Sequence, residues 1–412
     1  MNPNLIFINL LIDSLWSDGN FLEKIFDVKS PNVSNLARIN EYLGQYFAND
    51  GDYVICPEKP LQKIRDFQES YLNFSSVNWV YVHSALNQVQ NFSTEVAKQI
   101  HDKTLGGAVL AGNSPLENLL LQTLNISTSG YGCDSNLVKK LNQKDYLLEI
   151  SRKLKIQVPE SEVIGVDKIS NSNHLYKSLI SSGGSGVYSY QDMERIKMWA
   201  QRKGLSSDWD RSMWLKQEML NRAQDFNCFG STESDRFQTV KIKYDRNRLS
   251  YQHDFDFEID SKIADELKQS FMKVKNHLVE QGYSGPFGFD SVVTTDKRIF
   301  SVLDLNVRLN KSHVLRQVMQ RFKVRKLYTS FYRLRFINSE WTSFEVFWRF
   351  LQESTNINGD RDSFLFPIDA SFWNEGKSEC LIALSTDNKV LKERIDQWVF
   401  RFLTNHGGQP ND

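Results

Sequence analysis

Gly285-Pro286-Phe287-Gly288-Phe289-Asp290, continued after a turn by Val302-Leu303-Asp304-Leu305-Asn306-Val307-Arg308, is a pair of strands carrying a polar line along an apolar ribbon. Alternate residues of a strand share a face, so Asp304, Asn306 and Arg308 lie on one side and Leu303, Leu305 and Val307 on the other. A three-residue turn centred on Lys297 would set Asp290 opposite Asp304, bringing two carboxylates and an amide together. Magnesium takes hard oxygen ligands at about 2.0–2.1 Å and is usually held by one or two carboxylates plus substrate phosphates. Asp290, Asp304 and Asn306 supply such a set for Mg2+, or for Mn2+ in its place. Arg308, one step further on that face, is placed to hold a phosphoryl oxygen. A solvated hairpin with an acidic outer face would show the same alternation, so the flanking sequence has to decide.

Before the hairpin, the pattern predicts a helix over Ile263–Gln281 and strands near Met213–Leu220, Phe237–Tyr244 and Ser250–Phe257. Asn142 to about Tyr190 reads as a small α/β unit with a helix at Tyr146–Leu154 and a break at Pro159. It contains Lys177-Ser178-Leu179-Ile180-Ser181-Ser182-Gly183-Gly184-Ser185-Gly186-Val187, whose backbone N–H groups could wrap phosphate oxygens. No G-K-[ST] closes this loop and no dinucleotide fingerprint surrounds it. From the start to about Leu141, the apolar runs Leu5–Leu11, Asp52–Cys56, Trp79–His83 and Gly107–Ala111 alternate with helix-like stretches at Asn35–Phe47, Leu61–Tyr71, Asn87–His101 and Leu116–Leu124. That is the pattern of a parallel sheet covered by helices. Ser114-Pro115-Leu116 places a capping serine before a proline at the first helical position. After His313 come a basic, aromatic stretch, a strand at Glu379–Ser385 and a helix at Val390–Leu403.

Taken alone, Lys144 reads as a surface helix lysine and Met213–Leu220 as a core strand. In order, however, Lys144, Lys177 with its Gly-rich loop, Lys216-Gln217-Glu218-Met219-Leu220, Asp290 and Asp304-Leu305-Asn306-Val307-Arg308 resemble the ATP-grasp superfamily element by element. The resemblance implies an α/β fold, α+β in its catalytic part. A Rossmann-like pre-ATP-grasp domain would occupy 1–139, a first ATP-grasp subdomain 140–212, a second with the metal site 213–316, and a small α/β segment 317–412. It also implies roles. Lys144 and Lys177 contact the phosphates of ATP, and Gly183, Gly184, Ser185 and Gly186 close over them. Gln217, Glu218, Met219 and Leu220 form the adenine hinge, and Asp225 binds ribose. Asp290, Asp304 and Asn306 hold the metal, with Arg308 and Lys177 at the reacting phosphoryl group. Asp304 departs from the usual glutamate, and its shorter carboxylate reaches two metal ions less readily. Gln217 also stands where glutamate is frequent. A further lysine expected between hinge and hairpin is Lys241 or Lys243, with His253 at a similar depth, and the sequence does not choose among them.

The N-terminal region, Gly130–Lys144 and the tail are similar to the ATP-grasp subgroup that includes the pheganomycin peptide ligase. This implies amino-acid or peptide substrates and a place in antibiotic-type biosynthesis. Such a ligase transfers the γ-phosphoryl group to a carboxylate, and an amine displaces phosphate from the acyl phosphate. A carrier-protein thiol is the alternative acceptor, and a non-catalytic nucleotide binder or phosphotransferase is the alternative class. No protein nucleophile is needed.

The composition agrees with a multi-domain enzyme: 412 residues, 40% hydrophobic, 24% charged, with zero formal net charge. Zero charge argues against non-specific nucleic-acid binding. No apolar stretch approaches the roughly 20 residues of a membrane span. Cys56, Cys133, Cys228 and Cys380 form no C-x-x-C pair, as expected of a cytoplasmic protein. Arg321-Phe322-Lys323-Val324-Arg325-Lys326, with Arg333 and Arg335, is a basic cluster suited to an acidic acyl carrier protein or a substrate carboxylate, unless it is a solvated helix face. His313, just past the metal strand, reads as structural. The chain does not disclose its oligomeric state; many members of the family it resembles form dimers, so a homodimer is one possibility.

Overall fold

The computed structural model describes residues 2–8, 39–57, 64–66, 76–84, 88–100, 103–126, 134–180, 186–245, 250–255, 257–321, 328–338, 340–341, 343–355, 363–373 and 376–406. The N-terminal runs form a parallel sheet of β1 (Asn4–Phe7), β2 (Tyr53–Cys56), β3 (Asn78–Tyr81) and β4 (Gly107–Leu110), in the order β3-β2-β1-β4. Leu5, Phe7, Ile55 and Leu110 bury one face under α1 (Val89–Ile100) and α2 (Pro115–Leu124). Such continuous apolar strands are what a sheet covered on both faces requires. Ser114 caps α2 in a reciprocal box with Glu117, and Pro115 opens the helix as expected. The helix expected at Asn35–Phe47 is a 3-10 segment, Ile39–Phe47. Most of the helix expected at Leu61–Tyr71, and residues 9–11 of the first strand, lie outside the described residues.

Helices α3 (Ser135–Leu141) and α4 (Lys144–Leu154) lead into a small antiparallel sheet. Its strands are β5 (Ser161–Gly165), β6 (His174–Ser178), β7 (Val187–Tyr188) and β8 (Met213–Glu218), in the order β5-β8-β6-β7. Ile164, Tyr176 and Trp214 bury one face under α5 (Tyr190–Arg202) and α6 (Ser206–Asp210). The opposite face carries Lys177, Leu215 and Gln217, because Lys177 pairs with Leu215 and Leu175 with Gln217.

The rest is built on an eight-stranded antiparallel sheet. It contains β9 (Arg222–Ser231), β10 (Gln238–Asp245) and β11 (Ser250–Asp254) and, after α7 (Ser261–Glu280), β12 (Pro286–Thr294) and β13 (Ile299–Asn306), followed by α8 (Lys311–Arg321). The tail adds β14 (Tyr328–Asn338), α9 (Phe344–Thr355), β15 (Phe364–Trp373), β16 (Gly376–Thr386) and α10 (Lys389–His406). The strand order is β13-β12-β9-β10-β11-β14-β16-β15, so the tail's strands extend the sheet that carries the hairpin. Phe226, Cys228, Phe287, Phe289, Leu305 and Val307 pack one face against Phe271 and its neighbours on α7. Further along, Tyr332, Leu334 and Ile382 pack against α9 and α10, while Phe331, Leu381 and Ala383 face the N-terminal domain through Ile6, Leu43 and Tyr46. Among the described residues no helix is long and apolar enough to cross a membrane.

Candidate active site

In the hairpin, Asp290 pairs with Asp304 and Gly288 with Asn306, as the sequence predicts. The turn differs. Val292 pairs with Phe300, so β13 carries two extra residues between there and Asp304, and Lys297 takes a left-handed conformation near the end of the turn rather than at its centre. The irregularity re-aims one side chain. Leu305 and Val307 join the core beneath α7, whereas Leu303 packs with Val292, Phe300 and Leu220 on the site side. The expectation that Leu303 faces the core is therefore corrected, and Leu220 of the hinge gains an apolar seat beside it.

Asp290 stands among Asp304, Asn227 and Lys177. Asn227 Nδ2 donates to Asp290 Oδ1 at 2.7 Å, and Asn310 Nδ2 in turn donates to Asn227 Oδ1 at 3.1 Å. Burial first, and then the Asp304 charge, push the Asp290 carboxyl up to about 6, against the pull of Asn227, Arg222 and Lys177. The two carboxylates face each other across the hairpin, with the Lys177 charge acting on Asp290. On the strand beyond, Arg308 Nη2 donates to Asn306 Oδ1 at 2.9 Å and Nη1 to Leu309 O at 3.1 Å.

Two lysines close the cleft from the small sheet. Lys144 is buried at the first position of α4, and its Nζ lies 3.5 Å from Asp304 Oδ1. Its backbone N–H donates to Leu179 O at 3.0 Å, which docks the start of α4 beside the end of the Lys177 strand. Asn142, at the end of α3, accepts from Val307 N at 2.8 Å and so ties the metal strand to the same corner. Lys177 is nearly buried. Burial lowers its ammonium to about 8, with Asp304 and Asp290 opposing and Lys144 and Arg222 reinforcing the shift. Nucleotide phosphates would restore its charge, so ADP binding near pH 8 is expected to take up a proton, and affinity to fall toward tenfold per pH unit above 8. Calorimetry in buffers of different ionisation enthalpy reads this directly; binding without proton uptake between pH 7.5 and 9 would separate Lys177 from the phosphates.

Gly186 O accepts from Ser178 N at 2.8 Å, at the closing end of the Gly-rich loop, while Gly183, Gly184 and Ser185 lie outside the described residues. In the hinge, Gln217 is buried and donates to Ser161 Oγ at 3.1 Å. The Glu218 carboxylate is turned to Arg298, 3.1 Å away, and Met219 N donates to Asn173 O at 3.2 Å. Asp225 shares the site face of β9 with Asn227 and accepts an ion pair from Arg222 at 3.3 Å.

Register separates the three residues left open between hinge and hairpin. Lys241 pairs with Phe226 and Thr239 with Cys228, so Lys241 and Lys243 lie on the face away from the site, where Lys243 meets Asp396 at 3.4 Å. His253 pairs with Ile242 and Phe331 and is on the site face, with burial, Lys311 and Arg333 holding its imidazole down to about 3. It is neutral and carries no charge to a phosphate. His313 is likewise held down to about 4 by burial, opposed by its contact with Gly230 O and reinforced by Arg308. Its Nε2 lies 3.0 Å from Gly230 O and its Nδ1 meets Asn310, so it braces the amide chain that leads to Asp290.

Sequence reading missed Asn227, Asn310 and the whole of β9. The signal was the alternation of Phe226 and Cys228 with Asp225 and Asn227, blurred by Gly230 and by the polar start Arg222-Ala223-Gln224.

All the metal candidates are oxygen donors. Among the described residues no group of three or more His, Cys, Asp and Glu forms a metal cage. A divalent cation would also relieve the repulsion that raises the Asp290 carboxyl.

The chain is similar in structure to N5-carboxyaminoimidazole ribonucleotide synthetase in its ADP complex, with a TM-score of 0.55, 10% identity, and coverage of 89% of this chain and 94% of that one. The chain has the ATP-grasp fold. The Aspergillus clavatus N5-carboxyaminoimidazole synthase in complex with ADP and 5-aminoimidazole ribonucleotide gives a TM-score of 0.51 at 11% identity, covering 89% of this chain and 96% of that one. Biotin carboxylase from Campylobacter jejuni, in its β,γ-ATP complex, gives 0.51 at 10% identity over 96% and 90%. No protein-family model and no curated protein matches the sequence. At these identities the likeness is one of fold.

Proposed function

We propose that this chain is an ATP- and Mg2+-dependent ligase. It activates the carboxylate of an amino acid as an acyl phosphate and joins it to the amine of an amino acid or peptide, releasing ADP and phosphate. The observation that carries the reading is the convergence of Asp290, Asp304 and Asn306 with Lys144 and Lys177 at one cleft, beside a buried Arg308. The nucleotides crystallised with proteins of the same fold support ATP as the phosphoryl donor.

Asp290, Asp304 and Asn306 would hold the cation, which when bound offsets phosphate charge. The other residues position and shield. Lys144 and Lys177 neutralise phosphate oxygens from above, and Lys144 exchanges its contact with Asp304 for the nucleotide. Arg308 stabilises the charge that develops on the transferred group. A degenerate nucleotide binder has no need of the carboxylate pair, whose mutual repulsion raises the Asp290 carboxyl.

Asp304→Ala or Asn306→Ala is expected to lower ATP-dependent product formation by about a hundredfold or more while the protein stays folded. Mass spectrometry after incubation with amino acids, singly and in pairs, checks this, and wild-type turnover in both variants would sink the proposal. An amine acceptor is preferred to a carrier thiol. In the basic cluster, Arg321 donates to Ala48 O at 2.6 Å and Arg333 is paired with Glu379, so both act within the fold; residues 322–327 and the Arg335 side chain lie outside the description. Adding an acidic acyl carrier protein to the assay tests the thiol route. A cytoplasmic location, a homodimer and a place in specialised biosynthesis complete the proposal, the first supported by the wide spacing of the four cysteines, which form no C-x-x-C pair.

A further inference from the structure

Strand β9 does not run evenly against β12. Val293 pairs with Gln224, but the next residue, Thr294, pairs with Arg222, so Ala223 is an extra residue in β9. An extra residue reverses the alternation of side chains. Counted back along an unbroken strand, Arg222 would share the core face of Gln224, Phe226 and Cys228. With Ala223 bulged it shares the face of Asp225 and Asn227, opposite the face sealed by α7. The ion pair agrees: Arg222 Nη1 reaches Asp225 Oδ1 at 3.3 Å and Oδ2 at 3.4 Å. The Arg222 charge also reaches the centre of the cleft, where it helps to lower both the Lys177 ammonium and the Asp290 carboxyl.

We infer that Arg222 is a nucleotide-contacting residue, aimed by the Ala223 bulge so that its guanidinium binds the polyphosphate of the bound nucleotide. The inference rests on the nucleotide reading of the cleft. Lys241 and Lys243, the lysines that the sequence offers for this role, lie on the opposite face. Without nucleotide, Arg222 and Asp225 neutralise each other at the rim. With nucleotide, the ribose hydroxyls donate to Asp225 and the phosphates pair with Arg222, so each side chain exchanges one hydrogen-bonding partner for another. A guanidinium suits this exchange because its planar fork can move from a carboxylate to a phosphate and keep paired hydrogen bonds.

The alternative is that Arg222 merely holds Asp225 in place, and adenosine, which has the ribose but no phosphate, separates the two. Calorimetry on the full chain with Mg2+ compares ADP and adenosine. Arg222→Met is expected to weaken ADP on the order of tenfold or more while changing adenosine by less than about twofold, with Arg222→Lys recovering part of the loss. Arg222 is 38% exposed, so neither variant should disturb the core, and unchanged thermal midpoints verify that. ADP affinity unchanged in Arg222→Met, or adenosine weakened as much as ADP, overturns the inference alone. Failure of the wild-type protein to bind ADP overturns the nucleotide reading along with it.

Discussion

Replacing Asp290 by asparagine is expected to make the ligand-free protein more stable and to remove at least about a hundredfold of its ATP-dependent activity. The folded protein holds the Asp290 carboxyl at about 6 against an ordinary 3.8, so between those values the native state binds the proton more tightly than the unfolded chain. Stability therefore falls as pH rises through that window, and the full penalty applies at pH 7. A shift of this size corresponds to about 3 kcal/mol at most. Because an edge of Asp290 remains open to solvent, screening reduces it, and about 1–2 kcal/mol is the expected gain. Asparagine keeps an acceptor for Asn227 and removes only the charge. Thermal unfolding at pH 7 and near pH 4 checks the sign: the gain should be present at the first and vanish at the second. Activity is lost because a neutral amide is a poor replacement for a carboxylate beside a divalent cation.

The second large effect is expected from Gly288→Ala. Gly288 lies in β12 between β9 and β13, opposite Phe229 and Asn306, so its backbone is held from both sides. A Cβ added there would meet Cys228 O at 2.9 Å and Phe229 Cβ at 3.1 Å, and would drive into the Asn310 amide. The strand cannot move away. Asn310 must move instead, which breaks its bond to Asn227 and loosens the clamp on Asp290. Destabilisation of roughly 2–4 kcal/mol is expected. A lower thermal midpoint together with weakened Mg2+-dependent ADP binding is the predicted signature, and wild-type values for both would show that this close approach is not needed.

The parts of the site that were legible in the sequence are those where local pattern and chemistry coincide. Asp304-Leu305-Asn306-Val307 alternates cleanly, so the shared face of Asp304 and Asn306 follows from strand geometry, whereas the pairing of Asp304 with Asp290 also needs the two extra residues that offset the different turn. The misplacement of Leu303 goes with contacts that local pattern does not show: the extra residues in β13 include Ser301, which is hydrogen-bonded by Ser270 and Ser291 from elsewhere in the chain. Strand β9 was hidden because its site-facing half is polar, with Asp225 and Asn227 serving the cleft where a sheet would ordinarily show apolar residues. Arg222 was hidden because only a cross-strand register reveals the bulge at Ala223. The tail's aromatic run, Phe331 to Phe336, carries strands buried on both faces, which lack the alternation of a half-exposed sheet.

The central claim is that ATP activates a carboxylate by phosphoryl transfer at the Asp290–Asp304 cleft. It is tested most directly by incubating the protein with ATP, Mg2+ and amino acids labelled with 18O in their carboxylates, and analysing the released nucleotide and phosphate. Acyl phosphate formation predicts ADP together with phosphate carrying one 18O atom from the carboxylate, and none of either from Asp304→Ala. Release of AMP and pyrophosphate, or product formation with unlabelled phosphate, would contradict it.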